Sequence, residues 1–197
     1  MIFINDNMIL PIALYGHPTL KKVGKDIYKD HENLDLLIEN MFETMYHSNG
    51  VGLAAHQINE PIRLFVLDAP EFKVKKVFIN ACMIDKKGEI TEIEEGCLSV
   101  PGINEIIKRK SIIYISYHDE NFNYHEKEKF DGMVARIIQH EYDHIEGKLF
   151  IEHIPNFKKM LLKSKLRDIS TGKVNVNYRI LQKRKKEKIN NGHTKLF

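Results

Sequence analysis

Tryptophan is missing altogether from the 197 residues, and cysteine occurs only twice, at Cys82 and Cys97. Two thiols cannot build the disulfide framework of a small secreted domain, and free thiols suit a reducing, cytoplasmic setting. No apolar run approaches the length of a membrane span; the best, "SIIYISY" at 111–117, is the size of one strand. The opening "MIFINDNMILPIAL" lacks a basic n-region and is interrupted by Asn5, Asp6 and Asn7, which argues against a secretory signal. Charge of one sign is scarce as well. The net charge is +3, but residues 181–197, "LQKRKKEKINNGHTKLF", hold six of the 30 basic and one of the 27 acidic side chains, leaving 24 and 26 over the rest. A body so close to neutral predicts no DNA partner and no membrane partner. The basic end has the composition of a tail that touches RNA or a membrane surface, or of a solvated terminus. There is no internal repeat and no linker, so the expected organisation is one domain over 1–180, followed by the basic tail 181–197.

What is present is ordinary for a globular chain: 43% apolar and 29% charged residues. Leu34, Leu37, Ile38, Met41 and Met45 recur at the spacing of one buried helical face, with Gly50 as the expected stop. "NGVGLAAHQIN" reads as too small and irregular to be a packing element. "PIRLFVLD", "KVFINACMI" and "GEITEIEEG" read as strands, with "DKKG" a turn between the last two and Cys82 a small core residue. Residues 104–132 read as a long hairpin turning near Asn121–Asn123. The period then returns to helical, with Gly147 as terminator, and a last helix starts at Pro155. Strands grouped together and helices grouped apart predict an α+β fold: antiparallel strands packed around a central metal-binding helix, with an N-terminal and a C-terminal helix.

The chemistry starts at "QHEYDHIEGKLF", Gln139–Phe150. His140 and His144, one turn apart on a helix, project from the same face and can share a metal ion. Glu141, about 100° round the helix from His140, can reach a water on that ion without being a ligand. A hydrolytic site needs three protein ligands and an open position. The third histidine of one large peptidase group would stand where Phe150 is. The remaining candidates are Glu152 and His153 downstream, and Cys97 upstream in the shaped loop "EEGCLSVPG".

Three stretches together, "GVGLAAHQ" (50–57), "EGCLS" (95–99) and "QHEYDH" (139–144), resemble the signature motifs of the peptide deformylases in order and separation, within a similarity spanning roughly residues 10–170. The resemblance implies a cytoplasmic metal-dependent hydrolase that removes the formyl group from the N-terminal formyl-methionine of nascent polypeptides. It implies Cys97, His140 and His144 as metal ligands, and Fe²⁺ as the ion in the cell, with Zn²⁺, Ni²⁺ or Co²⁺ also accepted. It further implies attack by metal-bound hydroxide with Glu141 as general base and acid, and oxyanion contacts from the Gln57 side chain and the Leu98 main-chain N–H. Gly50, Val51 and Gly52 are expected to lie against an extended substrate, and Met133 and Ile137 are candidates for the methionine pocket. The chain departs from the family pattern at His56, usually proline, and at Asn59, often glycine. The basic tail is expected to contact the ribosome. The competing readings are a zincin-type peptidase using Glu152 or His153, and a noncatalytic ribosome- or RNA-binding protein with a structural metal.

Overall fold

A computed structural model describes residues 8–181; the basic tail beyond Leu181, and with it the ribosome expectation, lies outside the described residues. Five strands form one antiparallel sheet in the order β1 (Gly52–Ala54), β2 (Leu64–Ala69), β3 (Val74–Glu95), β4 (Glu105–His118) and β5 (Tyr124–Asp131). Three α-helices complete the fold: α1 (Leu34–His47), α2 (Gly132–Ile145) and α3 (Asn156–Ser170). The architecture is the expected α+β arrangement, with α2 packed against the sheet. Among the described residues no helix is long and apolar enough to cross a membrane.

Strand β2 explains why its sequence is apolar at almost every position. Leu64 and Val66 face α1 and pack with Ile38, Met41, Met45 and Leu53, whereas Phe65 and Leu67 face α2 and pack with Phe78, Ile113, Val134 and Ile138. Both faces are covered, so alternation has nothing to distinguish. Each such side chain contributes about 1.5–3 kcal/mol by leaving water. A third cluster, of Leu14, Val100, Phe150, Leu166 and Ile169 among others, holds α3 against the loop that carries Cys97.

Four local expectations are corrected. "DKKG" is no hairpin turn: β3 runs unbroken through it, paired with β4, and Gly88 with φ +72° sits where the register shifts between Lys87 and Ile90. A bulge, like a turn, needs a residue that tolerates positive φ, so the same glycine signal serves both. "GVGLAAHQ" does pack: β1 and the following 3-10 turn, Ala55–Ile58, are buried throughout, because small side chains are what fits between α1, β2 and α2. Helix α1 ends at His47 with Ser48 as its cap, and Asn49 rather than Gly50 takes the left-handed conformation (φ 56°). Cys82 points outward and is exposed, since its neighbour Ala81 takes the inward position of the strand. Gly147 ends α2 as expected, at φ +70°, and a Cβ there would stand 2.8 Å from the carbonyl oxygens of Lys21 and Lys22.

Candidate metal centre

Helix α2 presents two faces. Val134, Ile138 and Ile145 enter the core, while Met133, Ile137, His140 and Glu141 line a cavity of about 930 Å³. The loop after β3 brings Cys97 and Leu98 to the same cavity, and the approach to β1 brings Gly50, Val51 and Gly52. At its floor, ligand atoms of Cys97, His140 and His144 all lie within 4.8 Å of one another. The Cys97 Sγ to His144 Nε2 separation is 3.3 Å. A tetrahedral ion at ordinary metal–sulfur and metal–nitrogen bond lengths places such a pair about 3.5 Å apart. One sulfur and two imidazoles are a donor set that transition metals favour, so the residues fit a divalent ion.

The alternative third ligands are engaged elsewhere. Glu152 pairs with Lys21 and accepts from the Leu149 N–H, and His153 Nε2 lies 2.7 Å from Asp143 Oδ2. Phe150, where a third histidine would stand in the peptidase pattern, is buried with its ring stacked on His140 at 5.9 Å. It is packing that helps fix the imidazole.

Behind the cluster stands a buried ion network whose arginines, Arg109 and Arg136, lie outside the motifs. Glu95 Oε1 accepts from Arg109 Nε (2.7 Å) and an Arg136 guanidinium nitrogen (2.6 Å). Its Oε2 accepts from Arg109 (2.9 Å) and faces His140 Nδ1 at 3.0 Å. Arg109 also donates to Asp143 at 2.8 Å. With Nδ1 held by the carboxylate, His140 turns Nε2 to the cluster, the orienting contact metal-bound histidines generally have. Burial alone would raise the Glu95 carboxyl, but hydrogen bonds from His140 and Arg109 overcome it and hold it at about 2. Burial opposes charge on His140 too; Cys97 and Glu95 nevertheless raise it to about 10, so the site attracts positive charge. His144, buried beside His140, is pushed well below the usual range, so its imidazole stays neutral. Arg109 lies between Lys108 and Lys110 in a basic run. Only strand alternation, inward at 109 and outward on either side, could have singled it out.

Glu141 is buried, and its Oε2 has no hydrogen-bond partner among the described residues. Burial raises its carboxyl to about 7, against the pull of His140 and Arg109. A Cβ on Gly52 would stand 2.5 Å from Glu141 Oε1, so this glycine keeps the carboxylate's space open. Gln57 is fixed at one end by the Ala54 N–H, which donates to Oε1 at 2.9 Å. Its Nε2 reaches Ser99 Oγ at 3.3 Å and Cys97 Sγ at 3.6 Å. The Leu98 N–H lies next to Cys97 and donates to no described residue, while the Leu98 carbonyl accepts from Tyr178 Oη at 2.7 Å.

The two departures have separate explanations. Asn59 adopts φ 70°, where asparagine is the best substitute for glycine. His56 turns inward: it is fully buried, and neither ring nitrogen has a hydrogen-bond partner among the described residues. Burial pushes it down to about 4, and the Lys22 main chain, outside hydrogen-bonding geometry, offsets only part of that.

A family model described as polypeptide deformylase matches residues 9–160. A peptide deformylase of Christiangramia forsetii is 48% identical over 188 residues, covering 88% of this chain and 95% of that protein. The crystal structure of the Thermus thermophilus enzyme superposes with a TM-score of 0.77 at 34% identity, covering 84% of this chain and 99% of the other. A Met-Ala-Ser-bound peptide deformylase of Acinetobacter baumannii superposes with a TM-score of 0.70 at 30% identity, covering 75% and 99%. The similarity runs through all three motif regions and the sheet that joins them, so the chain belongs to the polypeptide deformylase family.

Proposed function

We propose that this metal-dependent deformylase hydrolyses the formyl group of N-formylmethionyl nascent peptides at the Cys97–His140–His144 centre, with Glu141 moving the proton. The observation that carries this reading is a thiol and two imidazoles converging at a cavity floor beside a buried, unpartnered carboxylate oxygen. When bound, a divalent ion supplies Lewis acidity, acidifying water and polarising a carbonyl. In keeping with the family resemblance, Fe²⁺ is the proposed ion in the cell, with Zn²⁺, Ni²⁺ or Co²⁺ able to replace it, since this donor set suits them all. An oxidisable thiol among the ligands is consistent with a reducing, cytoplasmic setting.

The chain's own groups then have defined work. Glu141, whose carboxyl lies near neutrality, takes a proton from water as oxygen attacks the formyl carbon. The same carboxyl delivers that proton to the amine as the C–N bond breaks, giving formate and a free N-terminus. Gln57 Nε2 and the Leu98 N–H donate to the formyl oxygen as it gains charge, and both are held in advance by neighbours. Gly50, Val51 and Gly52 lead into β1, an edge strand of the sheet, where an extended peptide can add as a further strand. Met133 and Ile137, half-buried on the cavity side of α2, receive the methionine side chain.

The test is anaerobic formate release from formyl-Met-Ala-Ser, with metal content measured on the same sample. One ion per chain and formate release are expected, and Cys97→Ser should lose both. Full metal occupancy with no formate released overturns the assignment. For the basic tail we keep the reading of ribosomal RNA contact: a chain ending at Ile180 should co-sediment less with ribosomes at low salt, and equal co-sedimentation removes that role.

A further inference from the structure

We infer that residues 174–178 form a second wall of the substrate cleft and bind the main chain of the formylated peptide beyond its methionine. This rests on the deformylase reading and adds a binding element outside the part of the chain that the family model matches, 9–160. After α3 the chain reverses at Thr171–Gly172 and runs back to the cavity. Val174, Val176, Tyr178 and Ile180 are half-buried, in strict alternation with exposed Asn175, Asn177 and Arg179. That period of two keeps one side of this ribbon of chain on the protein, and the chain bends at Asn177–Tyr178 before Ile180 bridges to Ile12.

The ribbon is tied at several points. Val174 and Ile180 pack against the third core cluster, the Ile12 N–H donates to the Arg179 carbonyl at 2.8 Å, and the Leu181 N–H donates to the Ile12 carbonyl at 2.9 Å. Tyr178 Oη donates to the Leu98 carbonyl at 2.7 Å, pinning the ribbon to the loop that carries Cys97. Residues 175–178 thus line the same cavity as Gly50–Gly52 and Glu141. Yet among the described residues the main-chain groups of 174–178 make no hydrogen bond, and neither do the carboxamides of Asn175 and Asn177.

An extended peptide entering the cavity gives up water from N–H and C=O groups on both of its edges. The edge of β1 can satisfy one side and the ribbon the other. A carboxamide both donates and accepts, so Asn175 and Asn177 suit a peptide backbone whatever its side chains. Such a wall adds affinity with chain length and demands no sequence, as an enzyme acting on many different nascent chains requires. At about 930 Å³, the cavity is near the upper end of the roughly 300–1,000 Å³ of small-ligand pockets, with room beyond one formyl-methionine.

Two measurements on the full-length zinc-loaded protein test this. The first compares kcat/KM for formyl-Met-Ala-Ser with that for formyl-Met-Ala, in the natural chain and in the Asn175→Ala, Asn177→Ala double variant. The ratio of long to short substrate should fall about tenfold in the variant, the scale of one or two lost hydrogen bonds. An unchanged ratio, or an equal loss on both substrates, overturns the proposal. The second follows amide NMR shifts of the natural chain titrated with Met-Ala-Ser. Shifts at 175–178 saturating together with those at Gly50–Gly52 support the wall, and shifts confined to 50–52 refute it. Because the second measurement needs no turnover, a chain that released no formate would count against the deformylase reading and still leave the wall to be judged.

Discussion

Replacing Glu95 by glutamine would separate two jobs that a single carboxylate performs. The side chain is buried and receives two bonds from Arg109, one from Arg136 and one from His140. The amide keeps the volume and one acceptor oxygen but removes the charge, leaving Arg109 paired with Asp143 and Arg136 with no carboxylate partner among the described residues. Breaking a buried ion pair by removing one partner costs about 3–5 kcal/mol. That is a large part of the roughly 5–15 kcal/mol stability of a domain. The second job is orientation. The amide's NH₂ would meet either a guanidinium or the His140 Nδ1–H, donor against donor. Losing the group that orients a metal-bound histidine typically weakens metal affinity by about 10–100-fold. Urea denaturation of the metal-stripped protein reads the first effect without ligand linkage, and competition against a metal chelator reads the second. Denaturation within about 1 kcal/mol of the natural chain, together with unchanged metal affinity, would refute the role of Glu95 in both.

Gln57→Leu should lower kcat about 10²–10³-fold by removing one oxyanion donor, with little change in KM, and should cost about 1–3 kcal/mol of stability because the Ala54 N–H loses its acceptor. Equal formate release by the variant excludes Gln57 from the reaction. Glu141→Gln should keep the metal and lose about 10²–10⁴-fold in turnover, so a variant that loses the ion instead would show a ligand where a base is proposed. His56 predicts an acid sensitivity. Its folded-state pKa of about 4 lies below the unfolded 6.5, so its neutral form favours the fold fully above pH 6.5, and that contribution is lost as pH falls toward 4. Between pH 7 and pH 5 the natural chain should lose about 2 kcal/mol that His56→Leu does not, as read by urea denaturation at the two pH values. Parallel losses in both proteins would show that His56 is not the group responsible.

The helices, the strand-rich middle and the histidine pair were legible because they depend on short-range spacing. Two histidines one turn apart share a face whatever surrounds them, and Leu34, Ile38, Met41 and Met45 face one way for the same reason. Glycine signals were ambiguous in proportion to how many conformations they serve: Gly88 made a bulge where a turn was expected, and Gly52 proved to be open space for Glu141. The ribbon at 174–181 had a signal, the alternation in "VNVNYRI", but alternation alone does not say which surface a segment returns to. What the sequence determined by itself was the inventory, an α+β chain with a histidine helix and a cysteine loop, because periodicity and motif order are local properties. Tertiary structure decided the rest, including which of Cys97, Glu152 and His153 meets the histidines, which charges in "KRK" turn inward, and what borders the cavity. Those choices depend on contacts between residues 14 to 131 positions apart, such as Arg109 with Glu95 and Lys21 with Glu152. They become fixed only when packing brings the elements together.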